Sequence, residues 1–467
     1  MSQSDQMQTG RVRVLARPPP AAAGPRPGLA VFDELESEVR SYCRVFPTVF
    51  ATASGATLRD EGGREYLDFF SGAGTLNYGH NPPFLKERVM EYLARDGVLH
   101  ALDMATVAKR AFLERFAEVI LRPRGMEYRV QFPGPTGTNA VEAALKLARK
   151  VTGRRTVAFF ANAYHGMTLG ALAVTGNASK RRAAGVPLHD TVSLPYDGDL
   201  GPGRDSLDVF AAMLENPGCG VELPAAVIVE TVQAEGGIKV ASEGWLRRLE
   251  ALCRAHGVLL IVDDIQVGCG RTGPFFSFEA AGIRPDLVCL SKSISGIGLP
   301  MALVLIGPGL DQWSPGEHNG TFRGNNLAFV AATAVLDYWV RDGLTLEVER
   351  RAARLSERLQ AMADAHPAAG GRVRGRGLIQ GIAFDDPGLA ARVSRAAFAR
   401  GVVVETAGPR DEVLKLLPPL TISDHQLDQG LDRIAEALAD ALASGDSEVP
   451  PVLAVPGGLP APEGEWA

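Results

Sequence analysis

The stretch Val258-Leu259-Leu260-Ile261-Val262-Asp263-Asp264 decides how this chain is read. It is a short, β-branched apolar run that ends abruptly in two acids. Such a run is too short for a helix and predicts a buried strand. Runs of the same kind occupy residues 156–160, 225–230, 287–290 and 303–306, with helical patterns at 139–151 and 244–256. Strands alternating with helices predict a mostly parallel sheet covered on both faces. Ligands of such sheets bind outside the carboxyl ends of the strands. Outward from this centre the rhythm changes. After about residue 330 come a helix, hairpin-like strands at 377–384, 402–405 and 414–417, and a last helix at 424–442. These predict a smaller α+β domain. Residues 30–42 look helical, and a hairpin at 57–58 and 65–70 turns around 61–63. The expected organisation is a disordered tail over 1–29, a segment over 30–80 joining the small domain, a large domain over 81–330, the rest of the small domain over 331–443, and a disordered tail over 444–467.

Composition narrows the class. The 467 residues are 46% hydrophobic, enough for a large core. A net charge of -6 leaves no footprint for nucleic acid or an anionic membrane. No apolar run approaches the roughly 20 residues that span a bilayer. The five cysteines are scattered and never spaced as C-x-x-C, and the histidines form no H-x-x-x-H pair. Neither a disulfide framework nor a metal site is expected, and a cytoplasmic home is. The N-terminal tail lacks the apolar core of a secretory signal.

Three stretches carry chemistry. Pro133-Gly134-Pro135-Thr136-Gly137-Thr138-Asn139 leads from the strand-like 128–132 into a helix, with Asn139 as cap and Glu142 three residues on. Free N–H groups at that helix start suit an anion, or simply make an ordinary capped helix. Asp263 emerges at a strand end beside an apolar core, where a carboxylate needs a cationic partner: a ring N–H⁺ or an arginine. Lys292 follows the apolar run Leu287-Val288-Cys289-Leu290. Half desolvated, it becomes a nucleophilic amine, or it snorkels to the rim. One cofactor type needs all three features together: an aldehyde with a phosphate, a pyridine ring and a Schiff base to lysine. By contrast Gly268-Cys269-Gly270-Arg271-Thr272-Gly273 matches a dinucleotide fingerprint in letters only. It lies past the strand end and opens no helix, so a glycine-rich surface or interface turn is expected.

Over residues 30–442 the chain resembles the class III aminotransferases, pyridoxal-phosphate enzymes of fold type I. Residues 136–144 (TGTNAVEAA), 164–166 (YHG), 230–237 (ETVQAEGG), 262–266 (VDDIQ), 270–273 (GRTG), 291–292 (SK) and 320–322 (GTF) carry the likeness. Stretches 32–42, 132–139 and 318–326 narrow it to members that use L-2,4-diaminobutyrate and 2-oxoglutarate in ectoine or siderophore pathways. The resemblance implies an α/β fold with a large cofactor-binding domain and a smaller α+β domain. It implies pyridoxal 5′-phosphate joined to Lys292, which also shuttles the substrate proton. Asp263 would hold the ring nitrogen protonated, and Gln266 would bond the ring hydroxyl. Tyr164 would stack on the ring, with His165 and Glu230 also at the cofactor. Gly137 and Thr138 would hold the phosphate. Thr321 would reach the phosphate of a neighbouring subunit, implying a homodimer with composite sites.

Three departures bear on the substrate. Asn139 stands where relatives carry Glu, Met167 where many carry a carboxylate-binding Arg, and Lys415 where an Arg pairs with the glutamate equivalent to Glu235. Glu235 with Lys415 would keep that pairing in weaker, non-bidentate form. Arg323 is the expected substitute clamp for the carboxylates of 2-oxoglutarate, with Lys415 as the rival anchor and a surface or interface arginine as the alternative reading. The expected reaction converts L-aspartate 4-semialdehyde and L-glutamate to L-2,4-diaminobutyrate and 2-oxoglutarate. The alternatives are transamination of another ω-amine (4-aminobutyrate, acetylornithine, putrescine) and a 2,1-aminomutase.

Overall fold

The computed structural model describes residues 28–443. Most of the expected N-terminal tail and all of the C-terminal one lie outside the described residues. The chain divides into two compact units, Met1–Val49 and Phe50–Ala467. The division falls inside the segment 30–80, which the sequence led us to treat as one.

In the first unit the helix expected over 30–42 is two short helices, Ala30–Leu35 and Tyr42–Val45. Neither has a buried residue, so no packed face sustains a longer helix. Between them Arg40 folds back on Asp33 at 3.2 Å, with Glu36 and Glu38 at 3.9 and 4.0 Å.

The second unit is built on a seven-stranded sheet. Its spatial order is Arg129–Gln131, Leu303–Ile306, Leu287–Leu290, Leu259–Asp263, Ala226–Val229, Val157–Phe160 and Thr191–Leu194. Leu303–Ile306 runs antiparallel to both neighbours, and the remaining pairs are parallel. Alternation explains the apolar runs. Leu260, Val262, Val227, Val229, Val288 and Leu290 enter one core layer. Ile261, Ile228, Leu287 and Cys289 enter the other. Helix Glu243–His256 packs Trp245, Leu246 and Leu249 into the first layer. Helix Gly137–Thr152 packs Ala140, Val141, Ala144 and Leu147 into the second. A strand buried on both faces reads as continuous apolar sequence. Leu303–Ile306 reverses because only a 3₁₀ turn, Lys292–Ser295, and a glycine-rich link precede it, with no crossover helix.

Two four-stranded sheets and a two-stranded ribbon, Val232–Gln233 with Lys239–Val240, complete the unit. One orders Phe50–Ser54, Thr57–Asp60, Glu65–Asp68 and Val402–Val403. The other orders Arg372–Arg376, Ile379–Ala383, Val413–Leu416 and Glu405–Ala407. The strand expected over 402–405 is therefore split at Val404, each half serving a different sheet. Helices Gly343–Ala365, Pro387–Ala399 and Asp424–Ala443 share their core. Among the described residues no helix is long and apolar enough to cross a membrane.

Candidate active site

The expected residues converge at the carboxyl ends of the central strands. A cavity of about 310 Å³ is lined by Gly137, Thr138, Tyr164, His165, Glu230, Glu235, Asp263, Gln266 and Lys292, with Met167 and Ile265. That volume suits a small cofactor and substrate.

Asp263 is the last residue of its strand, and its carboxylate is held from two sides. His165 pairs through Nδ1 with Oδ2 at 2.7 Å, and the Ile265 N–H donates to Oδ1 at 3.1 Å. Both side chains are buried. Burial opposes a charge on His165, but the bond to Asp263 and the charges of Asp263 and Glu230 prevail and raise its pKa. His165 Nε2 is buried without a hydrogen-bond partner. Glu230 accepts the Tyr164 N–H at 2.9 Å, and burial pushes its carboxyl up to about 7.

Lys292 opens the 3₁₀ turn with φ 50°, the left-handed region uncommon for a side-chain-bearing residue. Ser291 Oγ donates to Met301 O and Ser293 Oγ to Gly74 O, each at 2.7 Å, and these bonds pin the turn on both sides. The Lys292 ammonium donates to Ala73 O at 2.9 Å. Burial lowers its pKa; Glu235 pulls the other way, and Lys415 adds to the lowering. Gln266 Nε2 donates to the same Ala73 carbonyl at 2.9 Å.

The helix begins earlier than its sequence suggests. Thr136, not Asn139, is the N-cap, and Asn139 closes the capping box by accepting the Thr136 N–H at 3.2 Å. Glu142 instead accepts from Thr168 Oγ1 at 2.5 Å and the Ala171 N–H at 3.1 Å. Gly137 and Thr138 thus stand in the first turn, with N–H groups that lie beyond the reach of the helix's own carbonyls. Only glycine fits at Gly166. Its φ is 131°, and a Cβ there would lie 2.4 Å from Thr138 Oγ1.

Behind the cavity lies a buried charge cluster. Lys415, wholly buried, sits 2.6 Å from Glu235 and 3.0 Å from Glu405. Burial disfavours the Glu235 carboxylate, but Lys415 and Lys292 overcome this and hold it at about 2. Burial pushes Glu405 up to about 7 despite Lys415. Lys415 is held well above the ordinary lysine range, its two carboxylates outweighing burial.

Sequence reasoning missed Glu405 and Ala73. Glu405 stands opposite Lys415 in the antiparallel ladder, a pairing that requires the register. Ala73 lies in a run of four positive φ values, Ser71 to Gly74, for which Ser-Gly-Ala-Gly was the available signal. Asp68 anchors this turn by accepting the N–H groups of Phe70 and Ser71 at 2.8 and 2.7 Å.

Two expected residues do not reach the cavity within one chain. Thr321 is exposed, and its carbonyl pairs with His100 Nε2 at 2.9 Å. Arg323 donates to Asn319 Oδ1 at 3.1 Å and lies 3.8 Å from Asp103. The stretch 268–273 is a correction. It is structural as expected but buried rather than at the surface: Arg271, fully buried, donates to Asn77 Oδ1 and to the carbonyls of Leu378 and Pro418.

These features fit pyridoxal phosphate. A helix start bounded by positions where a Cβ would clash suits a phosphate. A buried carboxylate at the cavity wall suits a ring N–H⁺, and an amine of lowered pKa suits an aldehyde. Among the described residues no group of three or more His, Cys, Asp or Glu could hold a metal ion.

Comparison with known proteins agrees. The family described as "Aminotransferase class-III" matches residues 40–438. The chain is 59% identical over 417 residues to the diaminobutyrate–2-oxoglutarate transaminase of Bordetella parapertussis, covering 89% of this chain and 96% of that one. The protein of that name from Halalkalibacterium halodurans is 56% identical over 408 residues, covering 87% and 96%. Among solved structures, an ornithine aminotransferase from Toxoplasma gondii with partial occupancy of PLP at its active site superposes with a TM-score of 0.78. It is 27% identical and covers 89% of this chain and 94% of that one. A Bacillus anthracis aminotransferase gives 0.79 at 25% identity, covering 88% and 98%.

Proposed function

The chain belongs to the class III aminotransferases, and from that premise we propose that it moves an amino group between L-2,4-diaminobutyrate and 2-oxoglutarate. The products are L-aspartate 4-semialdehyde and L-glutamate, and the reaction runs in either direction. It is a pyridoxal 5′-phosphate enzyme. The observation that carries the reading is the meeting of Lys292, Asp263 and the Gly137 helix start at one cavity, in a chain 53–59% identical to transaminases of that name.

When bound, the cofactor supplies an aldehyde that accepts the amino group and a ring that withdraws electrons from the reacting carbon. Gly137 and Thr138 present the first-turn N–H groups and a hydroxyl to its phosphate. Asp263, fixed by His165 and the Ile265 N–H, holds the proton on the ring nitrogen. Lys292 Nζ would be the base that takes up the proton from the substrate carbon and hands it back across the nitrogen. Its lowered pKa keeps a neutral fraction for this task, and its tether keeps it in reach. Tyr164 and Met167 form part of the cavity wall. Glu235 and Lys415 neutralise each other until a substrate carboxylate competes.

The working form is a homodimer. In support, Thr321 and Arg323 lie outside their own cavity, beside exposed apolar side chains that include Leu102, Met104 and Phe322. The compartment is the cytoplasm, which suits five free thiols.

The test supplies holoenzyme with L-2,4-diaminobutyrate and 2-oxoglutarate and measures glutamate formed. Comparison donors are 4-aminobutyrate, acetylornithine and putrescine. Preferential turnover of one of these, or isomerisation without 2-oxoglutarate, would replace the reading.

A further inference from the structure

The proposed substrates bring carboxylates into a cavity whose walls are already acidic. Glu230, Glu235 and Asp263 line it, and Lys292 is the one ammonium among the lining residues. Lys292 is committed to the cofactor. Lys415 is buried between two glutamates. At 167, beside the cavity, stands an apolar methionine that is 49% exposed. A carboxylate entering here needs a cation, since an unpaired one loses hydration without return.

One lysine is placed to supply it. Lys180 lies in the short helix Ala178–Arg182, whose Asn177 cap accepts its N–H at 3.1 Å. Its Nζ stands 4.5 Å from the centre of the Tyr164 ring, and Tyr164 lines the cavity. Among the described residues no carboxylate lies within ion-pair distance of this ammonium, though Asp411 is near enough to feel its charge. The adjacent Arg181 differs. It is consumed structurally, donating to the carbonyls of Leu172, Ala173 and Thr175 at 2.8 to 3.0 Å. Of two neighbouring cations, one locks the loop and the other rests against the ring of Tyr164, one residue removed from the cavity. A cation resting on an aromatic face is held loosely enough to move to a stronger anionic partner.

We propose that Lys180 binds the substrate carboxylate remote from the reacting carbon, and so sets the preference for amino acids over plain diamines. In L-2,4-diaminobutyrate that group is the α-carboxylate, beyond the C4 amine that reacts. In glutamate it is the γ-carboxylate. The inference rests on the proposed reaction.

The test compares L-2,4-diaminobutyrate with 1,3-diaminopropane, the same molecule without its carboxylate, in wild type, Lys180→Met and Lys180→Arg holoenzymes. A lost charge-assisted contact is expected to lower the kcat/KM preference for the amino acid by about tenfold or more in Lys180→Met, through KM rather than kcat. Lys180→Arg should retain most of it. The dissociation constant for glutarate, read by calorimetry, should rise by a similar factor in Lys180→Met. Lys180→Gln serves if methionine destabilises the fold. An unchanged preference with unchanged glutarate affinity overturns the assignment and leaves Lys180 as a cover for Tyr164. If wild type does not transaminate L-2,4-diaminobutyrate, the parent reading fails instead, and glutarate binding alone still decides the role of Lys180.

Discussion

Replacing Lys415 by methionine withdraws one cation from between two carboxylates. The Lys415 side chain is 0% exposed, that of Glu405 5% and that of Glu235 23%. At the observed 2.6 and 3.0 Å, an effective dielectric of about 20 gives attractions of about 6 kcal/mol each. Desolvation of the three groups cancels much of this. Removing one partner of such a buried pair costs about 3–5 kcal/mol, because a charge is left uncompensated. The cost depends on pH. Glu235 is held at about 2, so its contribution is present above the ordinary glutamate value and fades as pH falls toward 2. Glu405 is pushed up to about 7, so the fold binds its proton more tightly than the unfolded chain does, and that contribution is lost as pH rises toward 7. Without Lys415 the deficit is therefore greatest near pH 8. It shrinks near pH 5.5, where Glu405 takes up a proton. Scanning calorimetry of wild type, Lys415→Met and Lys415→Met/Glu405→Gln at both pH values reads this out. A chain of this size with a bound cofactor is not two-state, so the order of the midpoints is compared rather than fitted free energies. The double variant should recover part of the loss at pH 8. A single variant as stable as wild type at pH 8, or a double variant no better than the single, would refute the charge balance described here.

Asp263→Asn should slow both half-reactions by about a hundredfold or more, the kinetic equivalent of the roughly 3 kcal/mol at stake in a buried pair, while cofactor is retained. Full half-reaction rates by stopped flow would reduce Asp263 to an anchor for His165. Gly166→Ala should weaken cofactor retention about tenfold in equilibrium dialysis, since its Cβ meets Thr138 Oγ1 at 2.4 Å on a backbone of φ 131°. Retention equal to wild type would remove Thr138 from the phosphate site. Mixed Lys292→Ala and Thr321→Ala protomers should regain activity in verified heterodimers, because one of their two sites is then intact. No recovery would argue against a site shared between subunits.

The central sheet was legible because its strands are buried on both faces, so Leu259–Asp263 and Leu287–Leu290 announce themselves as apolar runs. Asp263 and Lys292, one ending such a run and the other just past one, each had an ordinary explanation alone; they became legible only together with the Gly137 helix start, as the three features one cofactor needs. Less of the small sheets could be read. Phe50–Ser54 is largely exposed and carries no apolar face, and Val402–Val403 has too few residues for a period to appear. The helix start was misplaced because Thr-Gly-Thr-Asn offers several capping side chains, and spacing alone does not choose between Thr136 and Asn139. The depth of Gly268–Gly273 was hidden because glycine-rich loops resemble surface turns; here Asn77 Nδ2 donates to Cys269 O at 2.9 Å, and a Cβ on Gly270 would strike Trp339.

The reactive amine is tuned from a different sheet than the one that carries it. Lys292 stands at the end of the central sheet, while Glu405 and Lys415 face each other across a ladder in a smaller sheet. Glu235 pairs with Lys415, and its charge reaches Lys292, raising the pKa of that amine while Lys415 lowers it. A glutamate facing Lys292 alone would hold that amine protonated and idle. Lys415 takes up the glutamate's charge, and Glu405 fixes Lys415 in turn, so the amine is left with burial as its main influence. A lysine can fill this place without the bidentate fork of arginine because two carboxylates approach it from separate directions, and its three donors suit that better than a planar pair would. The departure at 415 and the acid at 405 are then one arrangement. It follows that Glu405→Gln should loosen Lys415 toward Glu235, tighten that pair, and make it harder for a substrate carboxylate to displace: steady-state kinetics should show a raised KM for 2-oxoglutarate with kcat largely kept, and an unchanged KM would overturn this coupling.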